Sequence, residues 1–519
     1  MKPLFFFLII CIYYLSGVTE NLGLYGDDAG YVIWAKSIFN GGWLDYINEP
    51  SPRPGGYNIF VLPLFLSAVM HFTDNIFYLK LVPLIFSAAS IIAIYFSLKK
   101  LNFKNNIPLI VAILMVFNGL FFEYSHQIMA ENVLIFFTFI SFTAIEKYKD
   151  SNKIINIFAV ISAAAGILAF FTRTAGVVSL ITIILYFVIL KNIRKIFFII
   201  SIIIIFFAIY SISMKAAGKS TGQGGNTYWN IIKMKSQYSP EAGARGGMDI
   251  VSDSLRKFAV YSLRLSSDAV FYPSFKKIKP SIKSPYFISQ VMLGLMISIF
   301  VLFGLYSRIK DKSGYIVNSA DIYFILTVSM LLLWQIYSSR YLLAVLPLIL
   351  AYAFAGIFKL LGEKQFFYKF FLAAIIICGF LNQLLIIYNE KNDIIPNEWK
   401  YYYAALYKIQ NMETGLSGNN LTACRKPTSY FVKSGYKIKT IGYPMSLNPD
   451  EINNFMLKNN VKYLVKDNFI ISGSDTANKY LQPFIIKYRD FLEEIYRSPD
   501  SGTVLYRFKK NVPIPVLTK

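Results

Sequence analysis

The sequence predicts an all-α polytopic membrane bundle of about 11 transmembrane helices with a small C-terminal extracytoplasmic α/β domain. Three observations predict it. Of the 519 residues 55% are hydrophobic and the mean hydropathy is +0.48, more apolar surface than a soluble chain of this length needs. The apolar residues come in long blocks, among them 154–190, broken by Arg173, then 196–214 and 287–306. Each block is about the roughly 20 residues a helix needs to cross the hydrocarbon core, or a multiple of it. Finally, the blocks lack the two-residue alternation of a membrane barrel, and helices satisfy their own backbone groups in lipid.

The net charge of +23 is placed as orientation signals are, in short loops between apolar segments. No recognition motif accompanies it, so nucleic acid is not an expected partner. Cys11 and Cys378 lie in apolar segments and only Cys424 in a polar one, which excludes a disulfide framework and a cysteine-ligated metal site. His71 and His126 are too few for a His-rich metal site. No metal ligands are therefore assigned.

Loop charge gives the topology. Lys2, Lys99, Lys100, Lys104, Lys147, Lys149, Lys153, Lys191, Arg194, Lys195, Arg308, Lys310, Lys312, Lys359, Lys364 and Lys369 alternate consistently when all are cytoplasmic. The spans then fall near 4–19, 77–98, 107–123, 131–146, 154–172, 174–190, 196–214, 286–306, 320–338, 341–361 and 370–389. The N-terminus is inside and the C-terminus outside. The 57–72 segment contains Pro63 and is short for a span; crossing would invert every later loop, so it is expected as an interfacial or re-entrant helix. The first segment also reads as a cleavable signal peptide, with Lys2, an apolar run and Ser16-Gly17.

This divides the chain into a transmembrane domain, 1–389, with outer loops 20–76 and 215–285, and an extracytoplasmic α/β domain, 390–519. The 215–285 loop, rich in Gly and Lys, is expected as a mobile cover over a site. In the tail, 462–466 and 504–508 read as strands, and 397–412, 450–459 and 483–496 as helices.

The chemistry-bearing residues cluster on the expected outer face. Asp27-Asp28 follows the first span. Two adjacent carboxylates near a membrane repel one another, which suits a general base; a helix cap, with Asp27 capping a helix from Ala29, is an equal reading. Arg53 stands in the Ser51-Pro52-Arg53-Pro54-Gly55-Gly56-Tyr57 turn, where it suits a phosphate or simple interfacial snorkelling. Glu131 opens an apolar span, favourable for a carboxylate and well placed to hold a cation or a sugar hydroxyl. Arg173 and Arg340, followed by Tyr341, are arginines on the wrong side by the loop-charge rule; an outer-leaflet lipid phosphate accounts for both, as does anchoring by ordinary membrane lipids. No nucleotide sugar reaches this face, so an activated group must arrive on a lipid carrier.

These motifs resemble the GT-C superfamily of lipid-phosphate-dependent glycosyltransferases, near its protein O-mannosyltransferase and lipid A aminoarabinose transferase branch. The resemblance rests on Asp27-Asp28-Ala29-Gly30-Tyr31, then Arg53-Pro54, then Glu131, then Arg340-Tyr341-Leu342-Leu343-Ala344-Val345-Leu346-Pro347, in order over 1–361. Asp28 departs from the usual Glu, and Arg53 from the Lys common in the aminoarabinose branch. The resemblance implies inverting transfer from a polyprenyl-phosphate sugar to a lipid, glycan or protein acceptor of the cell envelope. It makes Asp27 the catalytic base with Asp28 in support, Arg53 and Arg340 ligands of the carrier phosphate, and Glu131 a positioning group. Tyr31, Tyr341 and Arg173 complete the expected substrate neighbourhood. Metal dependence varies across the superfamily, so a divalent metal stays an open question and no other cofactor is expected. Two rival classes share the outer-face arginines: a flippase or transporter of lipid-linked saccharides, and a diphosphate-using polymerase or ligase. The paired halves of many transporters are not evident here.

Overall fold

The computed structural model describes residues 2–23, 26–55, 59–104, 106–216, 218, 228–236, 238–271, 285–311, 314–315, 317–361, 365–412, 421–470 and 475–509. Contacts divide the chain into two compact units: 1–21, 58–221 and 246–392 form a helical unit, and 22–57, 222–245 and 393–519 form a unit built on a sheet.

In the helical unit, all eleven expected segments are helices. They are Lys2–Leu15, Ile76–Lys100, Ile107–Phe117 continued by Gly119–Ser125, Glu131–Lys149, Ile157–Thr172, Val177–Ile189, Ile193–Ala216, Pro285–Ile309, Ser319–Leu333, Leu346–Leu361 and Gln365–Lys391. Among the described residues four helices are long and apolar enough to cross a membrane, or five if the pair bent by 60° at Asn118 is one span. The chain is therefore read as a multi-pass membrane protein.

The helix starts follow from short polar caps. Asn75, Asn118 and Asn156 each accept a backbone N–H through the side chain, satisfying donors that a helix start leaves open. Asn318 and Asp321 form a reciprocal capping box. Where Pro285–Ile309 crosses Leu346–Leu361, Gly304 and Gly356 meet the opposing backbone, leaving no space for a Cβ. Close approach through small residues is how membrane helices gain packing when burial from lipid offers none.

The 57–72 segment contributes a ten-residue helix, Val61–Met70, with Pro63 in its first turn where the missing N–H costs nothing; Gly56 and Tyr57 lie outside the described residues. The 215–285 region, expected as an outer loop, contains helix. The Gly247–Val260 helix continues through a π turn at Tyr261–Leu265 into Ser266–Phe271, and Ser254 Oγ and Lys257 Nζ donate to the Leu332 carbonyl at 3.2 and 3.4 Å. Its Gly-rich stretch, Gly222 to Gly225, and Lys219 lie outside the described residues.

The other unit is built on a five-stranded sheet ordered Thr440–Ile441, Leu421–Ala423, Val461–Lys466, Val504–Phe508, Leu492–Arg497. The first two pairings are parallel and the last two antiparallel. Helices Asn397–Met412, Pro427–Lys433 and Pro449–Lys458 join it. One tail expectation is corrected: 483–496 is not a single helix. Helix ends at Lys487, and Leu492–Arg497 is an edge strand hairpinned to Val504–Phe508. The Ser498-Pro499-Asp500-Ser501-Gly502 turn closes that hairpin, with Ser498 N donating to Thr503 O at 2.9 Å. Asn48 belongs to this unit, exchanging backbone and side-chain hydrogen bonds of 2.8 and 2.9 Å with Thr440 at the sheet edge.

Candidate functional site

The helix Asp27–Phe39 opens with both carboxylates in its first turn, where the helix dipole favours negative charge. The cap reading is corrected: Gly26, not Asp27, holds the cap position, and its φ of +82° is left-handed backbone suited to glycine. A Cβ there would also lie 3.4 Å from the Lys426 Cδ and the Ser429 Oγ, and the Thr428 hydroxyl donates to the Gly26 carbonyl at 3.4 Å. The tail segment 426–429 thus packs on the acidic turn.

Asp28 is buried, at 1% exposure. Among the described residues Lys426 faces the pair, and its ammonium interacts with Asp27 and Asp28. Burial lowers the Lys426 pKa; Arg425 adds to that, and the two aspartates oppose it. Burial raises the Tyr403 phenol, with Asp28 adding to the shift. Arg425 is itself engaged by Asp467 at 3.3 Å and by the Phe469 carbonyl. Burial pushes the Asp467 carboxyl up to about 6, against the pull of Arg425.

Two expected residues have mainly architectural contacts here. Tyr31 is buried and meets Trp34 edge-on at 5.8 Å, and Trp34 meets Tyr46 at 5.6 Å. Arg53 lies 63% exposed, its Nε donating to both Glu49 oxygens at 2.8 Å and its guanidinium 4.8 Å from the Tyr46 ring centre.

The helical unit gathers the other four. Glu131 begins its helix, is 4% exposed, and accepts on one oxygen from both the Arg173 Nη1 and the Arg340 Nε. Arg173 occupies the extended break between Ile157–Thr172 and the 3-10 turn Thr174–Gly176. Arg340 lies in the 3-10 turn Ser339–Ala344, whose start is capped by Ser338. Two rings complete the cluster, Tyr341 6.0 Å from Arg173 and Tyr124 5.7 Å from Arg340. Both arginines expected to need a lipid phosphate therefore have a protein carboxylate, which lowers the cost of placing them in an apolar bundle. Two guanidiniums converge on one carboxylate, and guanidiniums match phosphate oxygens.

Among the described residues no group of three or more His, Cys, Asp or Glu is placed to hold a metal ion.

Sequence reasoning missed Lys426, Tyr403 and Tyr124. Cys424-Arg425-Lys426-Pro427 gave a signal, a basic pair directly before a proline-initiated helix. Nothing in the local pattern linked it to a turn some 400 residues earlier.

No protein-family model matches the sequence, and no curated protein does. Solved structures do match. The archaeal oligosaccharyltransferase of Archaeoglobus fulgidus, tethered with an acceptor peptide containing the NVT sequon, superposes with a TM-score of 0.55 at 13% identity, covering 98% of this chain and 74% of that one. The same enzyme with an inhibitory peptide and a dolichol-phosphate gives 0.53 at 13%, covering 99% and 75%. ArnT of Cupriavidus metallidurans bound to undecaprenyl phosphate gives 0.47 at 10%, covering 99% of each chain. All are GT-C glycosyltransferases. The first two carry the assignment: this chain has the GT-C fold that its motifs resemble.

Proposed function

We propose that this chain is an inverting glycosyltransferase that moves a sugar from a polyprenyl-phosphate carrier to a cell-envelope acceptor on the extracytoplasmic face of a bacterial plasma membrane. The observation that carries it is the acidic first turn, Asp27 and Asp28 beside Lys426, in a chain with the GT-C fold. The eleven helices are read as eleven crossings, with the sheet unit outside.

In this reading an acceptor hydroxyl oxygen attacks the anomeric carbon and Asp27 takes its proton. The bond from that carbon to the carrier oxygen breaks, and its electron pair leaves on the lipid phosphate. Arg340, Arg53 and Arg173 receive phosphate charge, and Glu131 holds two of these arginines. Tyr31 and Tyr341 shape the surroundings.

Asp27→Asn tests it. The variant inserts and folds as the parent does but loses transfer by about 10²–10⁴-fold, the usual contribution of a general base. Activity near the parent's would remove Asp27 from the role.

A further inference from the structure

The helical unit holds a second ligand-shaped feature, well away from Glu131. A cavity of about 670 Å³ lies between helices Lys2–Leu15, Ile76–Lys100 and Glu131–Lys149. Its wall is apolar, formed by Phe7, Ala89, Ile92, Phe136 and Ile140. One end is basic: Lys99, Lys100 and Lys147 line it. Lys147 is on the same helix as Glu131, about 24 Å along it at 1.5 Å per residue. The cavity therefore belongs to the membrane leaflet at the opposite end of this helix from the Glu131 cluster, the cytoplasmic leaflet by loop charge.

We propose that this groove binds an anionic phospholipid of that leaflet, one acyl chain in the apolar slot and the phosphate on Lys99 and Lys147. Charge selects the occupant. Lys100 is engaged by Asp150 at 2.6 Å, and Lys149, close by, by Glu146 at 3.7 Å. Lys99 and Lys147 are exposed, and the Lys147 ammonium lies over the Phe158 ring at 5.0 Å. That leaves a local positive surplus above a mainly apolar slot, which favours an anionic over a zwitterionic headgroup. The volume is within the roughly 300–1,000 Å³ of ordinary ligand sites.

Native mass spectrometry of the full chain, in mixed micelles holding equimolar palmitoyl-oleoyl phosphatidylglycerol and phosphatidylcholine, tests this. The parent retains phosphatidylglycerol in about thirtyfold preference, the scale of two lysines at a membrane surface. The exposed pair Lys99→Gln with Lys147→Gln abolishes the preference. Ala89→Trp, which fills the slot, removes the adduct. Equal retention of the two lipids by the parent, or an undiminished preference in the double lysine variant, overturns the proposal. So does displacement of phosphatidylglycerol by equimolar undecaprenyl phosphate. Should Ala89→Trp not elute as a monodisperse species, the lysine pair, being exposed, decides alone.

Discussion

The acidic turn of the sheet unit and the arginine cluster of the helical unit are opposite solutions to holding charge near a membrane. In the first, two carboxylates share the neighbourhood of one lysine. In the second, two guanidiniums share one carboxylate. A carboxylate suits taking a proton; a guanidinium suits receiving a phosphate. The division of labour in the proposed reaction follows from that difference.

The largest effect that separates the two regions is kinetic. Asp27→Asn removes the base and collapses turnover, whereas Arg340→Ala weakens the hold on carrier phosphate. Donor titration with a polyprenyl-phosphate sugar then shows KM rising about tenfold or more, with a loss up to roughly 10²–10³-fold where the arginine also serves the leaving group. An Arg340→Ala enzyme with unchanged donor kinetics breaks the comparison on the arginine side.

A smaller effect sharpens the acidic side. Lys426→Met removes an ammonium that interacts with both aspartates, so transfer falls, by less than in Asp27→Asn, while the protein still inserts and folds. Transfer equal to the parent's would show that Lys426 does not serve the pair.

The smallest effect concerns stability. Asp467 titrates at about 6 because burial opposes its charge. A carboxyl raised above its unfolded value binds its proton first in the folded state, so folding gains stability as pH falls through about 6 and loses it as pH rises. Thermal unfolding of Asp467→Asn between about pH 8 and pH 5 therefore has a flatter pH dependence than the parent. An identical slope assigns the titration elsewhere.

Much of the helical unit was legible because each element carries its own instructions. Apolar length, basic loop ends and asparagine caps such as Asn75 and Asn156 all act within a few residues. Arg173 and Arg340 were legible singly, as charges on the wrong side by the loop-charge rule, and Glu131 as an acid opening an apolar span. Their convergence was not, because three chain segments meet there only after packing. The tail hairpin was misread since Leu-Glu-Glu-Ile-Tyr-Arg satisfies helical and strand patterns alike, and pairing with Val504–Phe508 decides. Lys426 escaped for the same reason as the triad: its partner is distant in sequence.

The central claim is a single displacement with a lipid monophosphate leaving group. It is tested most directly by following one turnover with a polyprenyl-phosphate sugar labelled at the anomeric carbon, reading product configuration by NMR and the released lipid by mass spectrometry. Inversion at the labelled carbon together with free polyprenyl monophosphate is the predicted result. Retention of configuration, or transfer only from a diphosphate carrier, would contradict it.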